Sequence, residues 1–128
     1  MSEREHKTPE RPYEVEKVAL VVAGAGFQVR EFTVAPGEEI PWHFHSEVTD
    51  WCYCLEGVIS EETLDRSAAD KITALRLTPG QSCRIERGTV HRLANGSDKV
   101  CRYLLVQAGG QYDFNRIDVS GTANPVAE

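Results

Sequence analysis

Turn-forming residues divide this chain at short intervals into segments of strand length. The turn signals are Gly24-Ala25-Gly26, Pro36-Gly37, Gly57, Pro79-Gly80 and Gly109-Gly110. Many of the segments between them are rich in β-branched and aromatic residues, which favour extended backbone. No segment keeps a helical period over three turns. The pattern therefore favours an all-β protein.

The segments fit about eight to ten short strands, the number expected of a sandwich, jelly roll or barrel. The predicted strands are Val15–Ala23, Phe27–Ala35, Ile40–His45, Trp51–Glu56, Val58–Leu64, Ile72–Leu77, Ser82–Ile85, His91–Ala94, Lys99–Gln107 and, as one more candidate, Tyr112–Val119. Only Ser67–Asp70 could form a helical turn. Both halves place a glycine some residues before histidine, which fits two Greek keys.

Composition places the chain among ordinary globular proteins. Its 128 residues are 41% hydrophobic and 27% charged, enough for one domain with its own core. The net charge of −6 argues against a nucleic-acid partner. The N-terminus lacks the apolar stretch of a secretory signal and no run suits a membrane span, so we expect a cytoplasmic protein.

The four cysteines do not follow the spacing of a zinc finger or a redox pair. They are Cys52, Cys54, Cys83 and Cys101. In a reducing compartment we expect them to be buried as small hydrophobic side chains rather than to form disulfides or bind metal.

Three of the four histidines are candidate functional residues. His43 and His45 are two residues apart, so on a strand both imidazoles point to the same face. His91 follows a later turn and can bring a third imidazole from a distant strand. Three imidazole nitrogens suit Zn, Fe, Cu or Ni, and the pattern predicts a transition-metal site.

The spacing around these histidines resembles the two motifs of the cupin family. The first motif corresponds to Gly37, His43, His45, Asp50 and Gly57, and the second to Gly80, Glu86, Gly88, His91 and Asn95. Two positions depart from the family pattern: Asp50 replaces glutamate, and Glu86 replaces a proline that would stiffen a turn. The resemblance implies a cupin, or double-stranded β-helix, jelly-roll barrel.

The resemblance also gives the expected organisation of the chain. We expect the barrel at residues 13–120, an N-terminal arm at residues 1–12 that is flexible or exchanged as a strand, and a disordered tail at residues 121–128. Cupins commonly dimerise through sheet faces and such arms, so a homodimer is expected.

The fourth metal ligand has two candidates, Asp50 and Glu47. Aspartate is one methylene shorter than the usual glutamate, so its carboxylate reaches less far toward the metal. Glu47 is longer and nearby, but it breaks the spacing to Gly57. We favour Asp50 and keep Glu47 as the alternative. The predicted ligands are His43, His45, Asp50 and His91, and the predicted cofactor is a divalent transition metal: Fe, Mn, Ni, Zn or Cu.

The side chains near Asp50 divide by strand alternation. If Asp50 faces inward, so do Cys52 and Cys54, while Trp51, Tyr53 and Leu55 face outward. An arginine near the metal could bind a carboxylate substrate, and the candidates are Arg30, Arg76, Arg84, Arg92 and Arg102. Tyr53, Tyr103 and His6 are further candidates for acid or base groups.

Three histidines and one carboxylate leave coordination positions open for a substrate oxygen. The leading hypothesis is therefore a small metal-dependent enzyme acting on an oxygenated or carboxylated small molecule, by dioxygenase, isomerase, lyase or cyclase chemistry. The alternative is a non-catalytic cupin module that binds a small molecule or sugar.

Overall fold

The computed structural model describes residues 13–119. The predicted arm (1–12), the predicted tail (121–128) and His6 lie outside this range. In chain order the strands are β1 (Lys17–Gly24), β2 (Phe27–Val34), β3 (Glu39–Phe44), β4 (Thr49–Glu56), β5 (Ile59–Asp65), β6 (Lys71–Leu77), β7 (Ser82–Ile85), β8 (Val90–Ala94), β9 (Cys101–Ala108) and β10 (Asn115–Arg116). A single 3-10 turn, Arg66–Ala68, lies between β5 and β6. The all-β prediction is confirmed.

The strands form two five-stranded antiparallel sheets. One has the order β1-β2-β9-β4-β7 and the other β10-β3-β8-β5-β6. Strands distant in sequence are thus neighbours in each sheet, as in the jelly roll predicted from the sequence. The arrangement places β3 and β8, which carry His43 and His91, next to each other in one sheet. The strand of Asp50, β4, belongs to the other sheet.

In β4 and β9 every second side chain points inward, and these side chains form the first sheet's part of the core. Cys52 and Cys54 are buried, whereas Tyr53 and Leu55 are about 40% exposed, as the alternation predicted. Cys101, Tyr103 and Leu105 of β9 point into the same interior. All four cysteines are free thiols; three are buried and Cys83 is partly buried against the core. The prediction of cysteines as core side chains is confirmed.

The two motifs are joined through Asn95. The N–H of Gly37 donates to the carbonyl of Asn95 at 2.8 Å, and the N–H of Asn95 donates to Glu38 at 3.0 Å. The buried Asn95 amide also donates to the carbonyls of Val34 and Lys99. These bonds fix the turn before β3 against the end of β8, and so hold the two histidine-bearing strands in register.

The chain after β9 differs from its prediction. A strand over Tyr112–Val119 was expected, but only Asn115–Arg116 pairs, with β3. Instead of extending the sheet, residues 111–114 cross the mouth of the barrel, where Tyr112 and Phe114 pack against imidazole rings. Packing at this mouth therefore outweighs the local preference for strand. Within residues 13–119 no helix has the length and apolar character of a membrane span.

Candidate metal centre

Three buried imidazoles meet at one end of the barrel interior. His43 lies on β3, His45 is the first residue after β3, and His91 lies on β8 directly opposite His43 in the ladder. Their ligand nitrogens all lie within 4.8 Å of one another. Each side chain is at most 4% exposed. The structure thus brings together the three histidines that the sequence singled out.

Each imidazole is oriented by a backbone carbonyl. Nδ1 of His43 lies 2.6 Å from the Pro41 carbonyl oxygen, Nδ1 of His45 lies 2.5 Å from that of Asp113, and Nδ1 of His91 lies 2.8 Å from that of Thr89. A carbonyl only accepts, so these contacts assign the proton to Nδ1 and leave the lone pair on Nε2. Nε2 of His45 also lies 3.4 Å from the amide nitrogen of Gln107. Metal-ligating histidines typically make such a carbonyl contact through the ring nitrogen that does not bind the metal.

Asp50 reaches the same cluster from the opposite sheet. Its Oδ2 lies 3.4 Å from Nε2 of His45 and 3.5 Å from Nε2 of His91. These separations are long for a hydrogen bond, but two ligands bound at about 2.1 Å to one ion are separated by about 3 to 3.5 Å. Oδ2 of Asp50 and Nε2 of His91 are both buried without a hydrogen-bond partner. A cation bound between them would satisfy both atoms, so the residues fit a metal ion.

The electrostatics also suit a metal site. Burial raises the pKa of Asp50, but contacts with His45 and His91 outweigh it and hold that pKa well below its usual range. Burial, together with the neighbouring His91 and His45, lowers the pKa of His43 well below its usual value. Burial lowers the pKa of His45, but its contact with Asp50 raises it more. Near neutral pH the cluster therefore offers one carboxylate and a neutral His43 imidazole, the forms that bind metal.

Glu47, the alternative carboxylate, is placed elsewhere. Its side chain is exposed, and its Oε1 accepts the N–H of Gln111 at 2.9 Å. It therefore holds the chain after β9 on the outside, whereas Asp50 lies within the cluster.

Residues 111–114, which we call the strap, cover the histidines. The Phe114 ring stacks on that of His43, with centroids 4.2 Å apart and planes 14° apart. The Tyr112 ring lies 5.4 Å from that of His45. The cavity beside His43, His45 and Asp50 measures about 10 Å³, room for about one water molecule. The strap thus encloses the cluster and leaves no room for an organic substrate in this conformation.

Of the five candidate arginines, Arg30 alone lines this cavity in the described part of the chain. One of its terminal nitrogens, Nη2, donates to Oε1 of Gln107 at 2.7 Å, and Nε2 of Gln107 donates to Oδ1 of Asp50 at 3.0 Å. The others form ion pairs or lie outside: Arg92 pairs with Glu39 and Glu62, Arg102 with Glu31 and Glu56, Arg84 with Glu86, and Arg76 is exposed. Tyr53 is also exposed and faces away from the cluster, whereas Tyr103 lines the cavity.

Sequence reasoning missed Gln107 and Glu61. Gln107 follows Cys101, Tyr103 and Leu105 at the next inward position of β9. A polar residue at an inward position was the signal that could have marked Gln107 as part of the site. Glu61 shares a face with Leu93, its ladder partner, and lies two pairs from the pair that contains His91. Its Oε2 accepts the hydroxyl of Thr63, the partner of His91. No local pattern marks Glu61 as interior.

Comparison with known proteins identifies the family. The family model described as the cupin domain matches residues 30–107, which is more than half of the chain and contains every predicted ligand. The chain belongs to the cupin family. The resemblance seen in the histidine spacing is therefore confirmed, and so is the jelly-roll fold.

Among the similar proteins, the relatives with named activities are enzymes. A mannose-1-phosphate guanylyltransferase of Sinorhizobium fredii (strain NBRC 101917 / NGR234) is 31% identical over 97 residues, which are 73% of this chain and 18% of that protein. The polyketide cyclase RemF of Streptomyces resistomycificus has a TM-score of 0.60 at 28% identity, covering 76% of this chain and 64% of that one. An oxalate oxidase structure has a TM-score of 0.66 at 18% identity, covering 72% of this chain and 46% of that one. This cupin thus spans less than two thirds of each of these proteins.

Proposed function

We propose that this cupin binds a divalent transition metal (Fe, Mn, Ni, Zn or Cu) through His43, His45, His91 and Asp50. We propose further that it is an enzyme acting on an oxygenated or carboxylated small molecule, with chemistry of the dioxygenase, isomerase, lyase or cyclase type. The relatives support an enzyme, since the similar structures include an oxalate oxidase and a polyketide cyclase.

The orientation of the imidazoles is the observation that carries the proposal. Backbone carbonyls fix all three Nδ1 atoms, so that three Nε2 lone pairs converge beside a buried carboxylate oxygen with no hydrogen-bond partner. Without a cation this arrangement leaves buried polar atoms unsatisfied, which costs about 1–3 kcal/mol for each. A structural role in the core would not require the three nitrogens to point at one place.

Each part of the chain has a role in this proposal. A bound metal would act as a Lewis acid toward a substrate oxygen or, if redox-active, would support oxygen chemistry. Asp50 would offset part of the cationic charge, and Gln107 would hold its carboxylate in place. Phe114 and Tyr112 exclude bulk water from the cluster. Glu61, whose pKa is raised by burial, is the nearby interior carboxyl group that could carry a proton.

Metal analysis of protein purified without chelators tests the proposal. We expect about one equivalent of transition metal in the wild type, and loss of most of it in His91→Ala. His6→Ala, which changes the one histidine outside the cluster, should keep wild-type loading. An absence of metal both as purified and after reconstitution would overturn the proposal, and unchanged loading of His91→Ala would overturn the assigned ligands.

The second candidate is a non-catalytic module that binds metal or a small sugar-like ligand. The small cavity of about 10 Å³ favours it, as does the relation to part of a sugar-nucleotide enzyme. Cobalt substitution separates the two candidates. In an enzyme, added azide should change the visible spectrum by entering an open coordination position. In a closed module, the spectrum should stay constant at saturating azide.

We also propose that the chain forms a homodimer, because the first hairpin exposes apolar side chains that solvent disfavours. Leu20, Val21 and Val22 of β1 are 63%, 57% and 48% exposed. Sedimentation analysis should give twice the monomer mass for the wild type and a lower mass for Leu20→Lys. A wild-type monomer would refute this proposal without affecting the metal site.

A further inference from the structure

We propose that the cavity beside the histidines recognises a carboxylate group, and that Arg30 and Tyr103 donate the hydrogen bonds that bind it. This deepens the proposed function: the substrate becomes a small carboxylic acid whose remaining oxygens face the histidine cluster. The proposal depends on the metal site only for that orientation, because the carboxylate subsite is built from residues that are not metal ligands.

In the described part of the chain, the groups in contact with the Arg30 guanidinium are neutral. Its guanidinium lies 5.1 Å from the ring centroids of both Phe32 and Tyr112, and its Nη2 donates to the amide oxygen of Gln107. Among residues 13–119 no carboxylate pairs with it directly; the amide of Gln107 separates it from Asp50. By contrast, Arg92 and Arg102 each contact two carboxylates. A partly buried cation without an anionic partner is unusual, and it favours binding of an anion from outside.

Two donors on this side of the cavity have no acceptor. The Nε of Arg30 and the hydroxyl of Tyr103 are both buried and without a hydrogen-bond partner, and both residues line the cavity that His43, His45 and Asp50 also line. One end of the cavity thus offers unsatisfied donors, and the other offers imidazole nitrogens and a carboxylate oxygen. A carboxylate supplies the acceptor oxygens and the negative charge that the donor end lacks. A water molecule could accept the hydrogen bonds but could not offset the charge.

A larger pocket gives a route to this subsite. It measures about 240 Å³, is lined by Gln28 and Phe27 among others, and shares Gln107 and Tyr112 with the inner cavity. Tyr112 therefore lies between the two spaces. It follows Gly109 and Gly110, both of which have positive φ and so permit backbone conformations that other residues resist. Displacement of the Tyr112 ring would join the pocket to the subsite, and the joined volume suits a small acid rather than a polymer.

Binding of carboxylates and of their neutral amides tests the subsite. The probes are acetate, glycolate and pyruvate, each compared with its amide, with affinity measured by ligand-observed NMR titration. Protein as purified, with its metal content determined, is compared with the same protein after removal of metal by a chelator. The variants are Arg30→Gln, which removes the charge, and Tyr103→Phe, which removes only the hydroxyl. Arg84→Gln is the matched control, because Arg84 is exposed and paired with Glu86.

We expect at least one carboxylate to bind the wild type roughly tenfold more tightly than its amide, in both metal states. Arg30→Gln should weaken that binding roughly tenfold or more, and Tyr103→Phe roughly threefold to tenfold, with Arg84→Gln unchanged. Equal binding by wild type and Arg30→Gln would overturn the proposal, as would equal binding of acids and amides. Should Arg30→Gln fail to fold, Tyr103→Phe decides, since unchanged carboxylate binding by this isosteric variant also overturns it. Lack of metal in the protein would refute the proposed function, whereas carboxylate binding that depends on Arg30 would still support the subsite.

Discussion

The ring of Phe114 lies face to face with the imidazole of His43, with centroids 4.2 Å apart and planes 14° apart. The pair joins the strap to the candidate metal centre, and Phe114 also contacts Tyr13, at a centroid distance of 5.4 Å. Exchange of a metal or entry of a ligand past His43 therefore requires this contact to open.

We predict that Phe114→Ala speeds metal release. Removing the ring exposes one side of the cluster, so transfer of metal to a coloured chelator should be roughly tenfold faster, which corresponds to about 1.4 kcal/mol in the barrier. Tyr53→Ala is the control, since Tyr53 is exposed on the outer face of β4. A release rate unchanged in Phe114→Ala would show that Phe114 does not limit access.

The two candidate carboxylates give a second prediction. Asp50→Asn keeps the shape of the side chain but removes its charge, so metal affinity should fall roughly 10- to 100-fold. Glu47→Gln makes the same chemical change on an exposed residue outside the cluster and should leave affinity within about twofold. Competition with a chelator of known affinity measures both. The reverse ranking would make Glu47 the ligand.

Glu61 should give the protein a pH-dependent loss of stability. Burial raises its pKa above the ordinary value of 4.5, so the unfolded chain ionises at lower pH than the folded protein. The contribution of the neutral Glu61 side chain to stability is complete below pH 4.5 and is lost as the pH rises through the raised pKa. In metal-free protein, Glu61→Gln has no carboxyl group at this position to ionise. The Tm of the variant minus the Tm of the wild type should therefore increase from pH 4 to pH 8. A constant Tm difference over that range would contradict the assignment.

The glycines at the turns supply a test of the fold itself. Gly57 and Gly80 have φ of 75° and 91°, so alanine at either should cost roughly 1–2 kcal/mol. At Gly57 a Cβ would also lie 2.6 Å from the carbonyl oxygen of Val100, whereas nothing lies within 4 Å at Gly80. Gly57→Ala should therefore lower the free energy of unfolding by about 1 kcal/mol more than Gly80→Ala, as measured by urea denaturation. Equal losses would mean that the chain near Val100 moves aside without cost.

Local rules predicted the strands and turns well, because period-two alternation and turn glycines act within a few residues. The burial of Cys52 and Cys54 opposite the exposed Tyr53 and Leu55 followed from alternation alone. The last predicted strand, Tyr112–Val119, was wrong for most of its length. Its aromatic residues satisfy strand propensity locally, but packing of Phe114 on His43 is a tertiary contact that propensity does not include.

The sequence by itself predicted the type of fold and the four candidate ligands, with Asp50 favoured over Glu47. The spacing of His43 and His45 places both on one face of a strand, and the motif adds His91. Only the tertiary structure decided what surrounds them. Sheet pairing sets His91 opposite His43, packing of the second sheet brings Asp50 within 3.5 Å of two imidazoles, and the chain after β9 closes the mouth of the barrel. These contacts join residues up to 71 positions apart, such as His43 and Phe114, and depend on how the two sheets meet rather than on local preferences of the chain.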